Sequence, residues 1–156
     1  MSEAFHFPVI VIGAGGAGLC AALAAHDLGA EVLVLERDSV PMGSTAMSTG
    51  LIPAAGTPEQ AAQGIDDSPE RFAKDVLAKT KGYTDPGIAL RLGQESSDTI
   101  SWLRDEHKVP LSLIGGFLYP GHTAMRMYGT PHRTGGELMA SLQEACEAKG
   151  IIILTD

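Results

Sequence analysis

The sequence predicts an α/β domain that opens with a βαβ unit on a parallel sheet, and three observations predict it. A short β-branched apolar run, "PVIVIG" (Pro8 to Gly13), is followed by a helix-forming segment and a second apolar run, "AEVLVLE" (Ala30 to Glu36); strand, helix and strand within about 30 residues make a βαβ unit. Between the first run and the helix lies "VIGAGGAGLC" (Val11 to Cys20), in which four of the ten residues are glycine. Capped helical segments then lead to a third apolar run, "IIILT", close to Asp156.

The elements are justified in order. A continuous apolar run ending in glycine is the pattern of a strand buried on both faces of a parallel sheet, so the first strand is expected to end at Gly13. "GLCAALAAHDLG" is rich in helix formers, and Gly29 suits a left-handed C-terminal cap. The crossover to the second strand is expected to be right-handed. Between Arg37 and Pro58 the periodicity gives way to Gly, Ser, Thr and Pro, which predicts a loop with a short helix, too long for an idle connection.

Ser68 followed by Pro69, and Asp85 followed by Pro86, are helix starts, so two helices should cover most of Pro69 to His107. "LSLIGGFLYPG" reads equally as a strand or an irregular apolar loop. In "RTGGELMASLQEACEAKG", Thr134 stands three residues before Glu137, a capping box, and the helix closes at Gly150. The expected division is a βαβ unit over 8–36, a loop over 37–57, a helical insertion over 58–110, a loop over 111–134, and a helix and strand over 135–156. A sheet whose third strand abuts the last residue is expected to be incomplete at the C-terminus, the front portion of a larger protein.

Composition removes several function classes. Acidic residues outnumber basic ones, 19 to 11, for a net charge of −8, and no Lys/Arg cluster supplies the basic footprint that phosphate backbones require, so no nucleic-acid partner is expected. Cys20 and Cys146 fall in helical segments outside any CxxC pair and read as buried thiols of a reducing compartment. No apolar run reaches the ~18 residues of a membrane span and the first residues carry no positive region, which predicts a cytoplasmic protein without a membrane partner.

Gly13, Gly15 and Gly18 form G-x-G-x-x-G directly after a strand and before a helix, and Glu36 closes the second strand 18 residues beyond Gly18. Gly13 permits the tight turn, Gly15 lets backbone approach a pyrophosphate, and Gly18 lets helix pack on strand. The pyrophosphate is expected at the helix N-terminus, where unpaired N–H groups and the helix dipole favour an anion. Glu36 would accept from the adenosine ribose hydroxyls and disfavour a 2′-phosphate, so the ligand is NAD-like or FAD-like. Ala14, Gly16 and Ala17 complete the cofactor loop, and Arg37 follows the acid.

"VIVIGAGGAGLCAALAAHDLGAEVLVLERDSVPMGSTAMSTG" resembles the FAD-binding N-terminus of the fumarate reductase and succinate dehydrogenase flavoprotein superfamily, especially its soluble members. "DSPERFAKDVLAKTKGYTDPGIALRLGQESSDTISWL" is similar to that family's helical insertion, and "HRTGGELMASLQEACEAKGIIILTD" to the helix and strand after it, so the resemblance covers the chain. It implies a Rossmann-like FAD-binding domain and an oxidoreductase acting on a carbon–carbon bond. The family's G-[ST]-T-x-x-[SA]-x-G loop is matched by Gly43, Ser44, Thr45, Ser48 and Gly50. By resemblance, Ser44 and Thr45 touch phosphate or ribityl oxygens, while Met47, Ser48, Thr49 and Gly50 sit near the isoalloxazine. Met42 replaces the first glycine of a Gly-Gly pair, and Ser44 stands where membrane-bound members carry a flavin-bonded histidine, which implies non-covalent FAD.

Other candidates are weaker. His122, Arg126, His132 and Arg133 fall within 12 residues and either face substrate and reduced flavin or belong to a loop leading into a helix. Their ligand count does not suit a metal. Trp102 is expected as a core anchor, Asp66, Asp67, Glu70 and Asp75 as a solvated acidic cap at a helix start, and His6, His26 and His107 as surface or partly satisfied residues. In the family, the groups that bind substrate and deliver the proton come mostly from later segments, so no catalytic residue and no metal is assigned. The substrate would be a small molecule met through a further C-terminal part or second chain. The alternatives are a non-catalytic stand-alone nucleotide-binding module and a fragment of an NAD-dependent dehydrogenase.

Overall fold

The computed structural model describes residues 6–156. In chain order the elements are β1 (Val9–Ile12), α1 (Gly16–Asp27), β2 (Val32–Glu36), α2 (Gly43–Ala46), β3 (Ile52–Pro53), α3 (Pro58–Ala62), α4 (Pro69–Lys79), α5 (Pro86–Asp105), β4 (Ser112–Leu113), β5 (Met127–Gly129), α6 (Gly135–Ala148) and β6 (Ile152–Thr155). They form two compact units, one from the segments ending at Gly50 and beginning at Arg133, the other from Leu51–His132. These limits fall inside the expected 37–57 and 111–134 segments.

The first unit is the parallel α/β layer that the sequence predicts. Its sheet has the order β1-β2-β6, parallel throughout, with Val9 opposite Val32 and Leu33 opposite Ile152. Helix α1 packs on β1, β2 and α6. Beneath this cover Leu19, Leu23, Val34 and Leu142 are almost wholly buried, each contributing about 1.5–3 kcal/mol of transfer free energy. Gly29 takes a left-handed conformation, φ +87°, beyond the end of α1. Cys146 is buried and Cys20 half-buried; burial pushes the Cys146 thiol up to about 11.

One expectation fails in this unit. The strands read as buried on both faces, yet Ile10, Ile12, Ile152 and Leu154 are 54%, 79%, 47% and 52% exposed. The register puts them on one face, Ile10 in line with Leu33 and Ile152, Ile12 in line with Leu35 and Leu154. With α1 packed on the Val11, Val32 and Val34 side, an apolar depression of about 310 Å³ lies on the other face among Phe7, Ile10, Leu33, Ile152 and Leu154.

In the second unit, α4 and α5 pack so closely that a Cβ on Gly93 would stand 2.6 Å from Pro69 O. Ser68 and Asp85 cap these helices as expected, accepting from the amides of Arg71 and Ile88. A small antiparallel sheet of order β3-β5-β4 accompanies them. "LSLIGGFLYPG" resolves into the two-residue β4 and an irregular stretch on which Phe117, Leu118 and Tyr119 are exposed. The anchors of α5 are Ile100 and Leu103, whereas Trp102 is only half-buried and meets His107 edge-on with ring centroids 4.5 Å apart. His107, expected as a surface or partly satisfied residue, is buried.

Of the acidic group expected as a solvated cap of α4, Asp66 and Glu70 are exposed, but Asp67 and Asp75 are not solvated. Arg126, fully buried, donates from Nε and Nη2 to both oxygens of Asp67, at 2.9 and 2.8 Å, and from Nη1 to Asp75 at 2.7 Å. Its guanidinium also lies 4.7 Å from the Phe72 ring centre. Burial pushes the Asp75 carboxyl up, but the Thr123 amide and the Arg126 guanidinium outweigh it and hold Asp75 below the usual range. Arg126 is thereby committed to two carboxylates and is a core cation, not a substrate ligand.

Candidate dinucleotide site

The site is built at the C-terminal end of β1, and backbone does most of the building. The Gly13 amide extends the ladder by donating to Leu35 O at 2.7 Å. Gly13 then turns the chain at φ +94°, a conformation that L side chains rarely adopt. A Cβ on Gly18 would overlap Gly13 O, so only glycine lets α1 sit this close to the turn. Above Gly15 there is open space instead, with nothing within 4 Å of a built Cβ.

Gly15 is also the N-cap of α1, with no side-chain cap bond, and the first turn carries no acid. The uncapped end of a three-turn helix presents amides and a positive dipole to an incoming anion. The Ala14 amide donates to Glu36 Oε2 at 2.7 Å, and the Asp38 amide donates to Glu36 Oε1 at 3.0 Å. Those two amides hold the Glu36 carboxyl below the usual carboxylate range. The end of β2 is thus tied to the glycine loop through a carboxylate that stays charged at neutral pH.

The second part is the segment around α2. Gly43 approaches Gly15 closely, a built Cβ standing 3.5 Å from Gly15 Cα, and Thr45 Oγ1 accepts from the Gly16 amide at 3.3 Å. Ser48 Oγ donates to Thr45 O at 2.7 Å and accepts from the Gly50 amide at 3.0 Å. Ser44, Met47 and Thr49 face outward, Met47 being 80% exposed. The chain therefore brings Gly13 to Gly18, Glu36, Gly43, Thr45, Ser48 and Gly50 into one connected cluster. Arg37 stays apart, its side chain 90% exposed and 3.3 Å from Asp38.

Sequence reasoning missed Gly135. Its amide donates to Ser48 O at 2.9 Å, and a built Cβ would overlap Thr45 O and lie 2.8 Å from Ser48 O. The available signal was local: two glycines directly after the Thr134 N-cap, where helix formers are the norm. Thr134 itself caps α6 by accepting from the Glu137 amide at 3.2 Å. His132 and Arg133 are exposed, and His122 packs against Phe72 and Tyr119 at 5.9 and 5.3 Å between ring centres. Among the described residues, no group of three His, Cys, Asp or Glu side chains is placed to hold a metal.

The positive-φ glycine, the side-chain-free helix start, the open space over Gly15 and the acid closing β2 fit a dinucleotide, and the small-residue loop against Gly15 and Gly16 extends that surface. Comparisons with known proteins agree. The chain is 37% identical over 95 residues to the fumarate reductase (cytochrome) of Shewanella frigidimarina, a match covering 61% of this chain and 17% of that protein. It is 31% identical over 153 residues to the NADH:fumarate oxidoreductase of Klebsiella pneumoniae, covering 96% of this chain and 16% of that protein. The open conformation of a flavocytochrome c3 fumarate reductase superposes with a TM-score of 0.86 at 28% identity, over 96% of this chain and 26% of that one. The chain thus spans about a sixth of the length of the two relatives. The model of the FAD binding domain matches residues 8–156, from the first strand through the glycine loop, the acid and the small-residue loop, and the chain belongs to that family.

Proposed function

We propose that this chain is the FAD-binding portion of a flavoprotein oxidoreductase that reduces or dehydrogenates a carbon–carbon bond, with the cofactor held non-covalently. The observation that carries the reading is the small-residue loop seated on the glycine loop through Thr45 and Gly16, which gives one continuous surface for a pyrophosphate and a flavin. Bound FAD supplies the hydride chemistry, and the protein supplies its position. The amides at the start of α1 hold the pyrophosphate, Glu36 accepts from the adenosine ribose, Ser44 and Thr45 meet phosphate or ribityl oxygens, and Met47, Ser48, Thr49 and Gly50 line the ring. Ser44 offers no imidazole to a covalent flavin bond.

The open face of Ile10, Ile12, Ile152 and Leu154 supports a further reading: the remainder of the FAD domain, continuous or as a second chain, covers this face and brings the small-molecule substrate. An exposed apolar patch of this kind marks an interaction surface. The net charge of −8 argues against nucleic acid. No helix among the described residues is long and apolar enough to cross a membrane, and we place the protein in the cytoplasm. The test is a titration of the chain with FAD followed by flavin fluorescence, then denaturation and intact-mass measurement. Saturable binding with release of FAD of unmodified mass is expected, weak in the chain alone; no saturable binding to the folded chain, or a covalent adduct, overturns the proposal.

A further inference from the structure

We propose that Gly135 is a positioning residue for the flavin half of the cofactor, acting through an interlock between the start of α6 and the 43–50 loop. The inference rests on the FAD reading and concerns which half of the ligand a residue outside the expected cluster controls. Two backbone approaches make the interlock. Gly135 admits the loop: its amide donates to Ser48 O at 2.9 Å, and a Cβ there would overlap Thr45 O and come within 2.9 Å of Ala46 C. Gly50 admits the helix: a Cβ there would stand 2.5 Å from Thr134 O and 3.0 Å from the Gly135 nitrogen, and Gly50 is left-handed at φ +64°. Both residues are buried.

Each partner thus occupies the volume that the other's missing side chain leaves. One further bond ties loop and helix, from Gln143 Nε2 to Pro41 O at 3.2 Å. The loop's outward residues, Ser44, Met47 and Thr49, are exposed while the Ser48 carbonyl accepts from the Gly135 amide of α6. The glycine loop at the start of α1 meets the small-residue loop through Thr45 and Gly43. A methyl group on Gly135 must push Thr45 O and Ser48 O outward, displacing the surface offered to the flavin ring directly and reaching the Gly13 to Gly18 turn only at second hand, through the bond from the Gly16 amide to Thr45 Oγ1.

The test compares FAD with ADP, which carries only the half of FAD that the glycine loop and Glu36 hold. Gly135→Ala is expected to weaken FAD about tenfold while ADP stays within about twofold of the unsubstituted chain. The control is Gly136→Ala, one residue on, where a built Cβ meets nothing within 4 Å; it should bind both probes as the unsubstituted chain does. Equal losses of FAD and ADP in Gly135→Ala, or none, overturn the inference. If the unsubstituted chain binds ADP but not FAD, the FAD reading itself falls and the inference with it. Should Gly135→Ala fail to fold, amide exchange in the unsubstituted chain decides: FAD should slow the Gly135 amide and ADP should not, and equal slowing by both overturns the proposal.

Discussion

Replacing Arg126 with methionine keeps most of the side-chain volume and strands two carboxylates. The arginine side chain is 0% exposed, as is that of Asp67, and the Asp75 side chain is 6% exposed. Three charge-assisted bonds at 2.7–2.9 Å are lost together. Partial compensation remains: Asp67 still accepts from Gln60 Nε2 and the Ser68 amide, and Asp75 from the Thr123 amide and hydroxyl. An uncompensated buried charge costs about 3–5 kcal/mol, a large part of a total of about 5–15. With a slope of roughly 2 kcal/mol per molar urea, a loss of about 4 kcal/mol moves the midpoint down by about 2 M. Trp102, the single tryptophan, lies in the same unit as Arg126, so its fluorescence reads the change. Neutralising the acids as well, in Arg126→Met with Asp67→Asn and Asp75→Asn, should restore at least half of the midpoint shift, because the unpaired charge and not the missing contact is the main cost. A single substitution costing under ~1 kcal/mol, the value of an exposed pair, or a triple variant as unstable as the single one, would refute that reasoning.

Three further outcomes are expected. Gly18→Ala should lower the thermal midpoint through a clash of Cβ with Gly13 O, at an overpacking cost of about 1–3 kcal/mol; an unchanged midpoint means that α1 is not held against the turn. Glu36→Gln keeps an acceptor for the Ala14 amide but loses the charge, and should weaken both ADP and FAD about tenfold in a fluorescence titration; unaltered affinity removes Glu36 from the ribose. His122 is pushed below its ordinary value of 6.5, first by burial and then by the Arg126 charge, so the unfolded chain takes up its proton first and stability falls as pH drops below 6.5. Urea midpoints between neutral pH and pH 5 should show that slope and lose it in His122→Asn; an unchanged slope in the variant places its origin elsewhere.

What was legible in the sequence was local. Ser68, Asp85 and Thr134 each accept from the amide three residues on, because a cap is a contact between near neighbours and leaves its residue types in order. A further cap was equally local and overlooked: Thr57 and Gln60 form a reciprocal capping box on α3, written plainly as Thr-x-x-Gln. The turn at Gly13 and the acid at Glu36 were legible for the same reason, since the βαβ unit sets their spacing. Asp67 and Asp75 misled because their cation lies 59 and 51 residues away, just before β5. Acids at a helix start carry the same pattern whether water or a buried guanidinium neutralises them. The bare sheet face was hidden by a similar degeneracy, for an apolar strand reads alike whether its second face is covered within the chain or by something else.

The chemistry of the cluster separates holding a flavin from carrying protons. Its hydrogen bonds run from backbone amides to one carboxylate, from Ala14 and Asp38 to Glu36, and between backbone and two hydroxyls, Thr45 and Ser48. The outward residues of the loop are Ser44, Met47 and Thr49, two hydroxyls and a thioether, none of which titrates near neutral pH. Glu36 is held in its charged form at the far side of the glycine loop and is already occupied by two amides, which suits recognition of a ribose and not delivery of a proton. Arg126, one of four residues weighed as facing substrate or reduced flavin, is spent on Asp67 and Asp75. On the proposed reading, a surface of this kind fixes where the flavin lies and leaves the choice of substrate, and the acid or base that would accompany hydride transfer, to residues outside the cluster. Substitutions within the cluster should accordingly change cofactor affinity without introducing a new ionisation into a pH–rate profile.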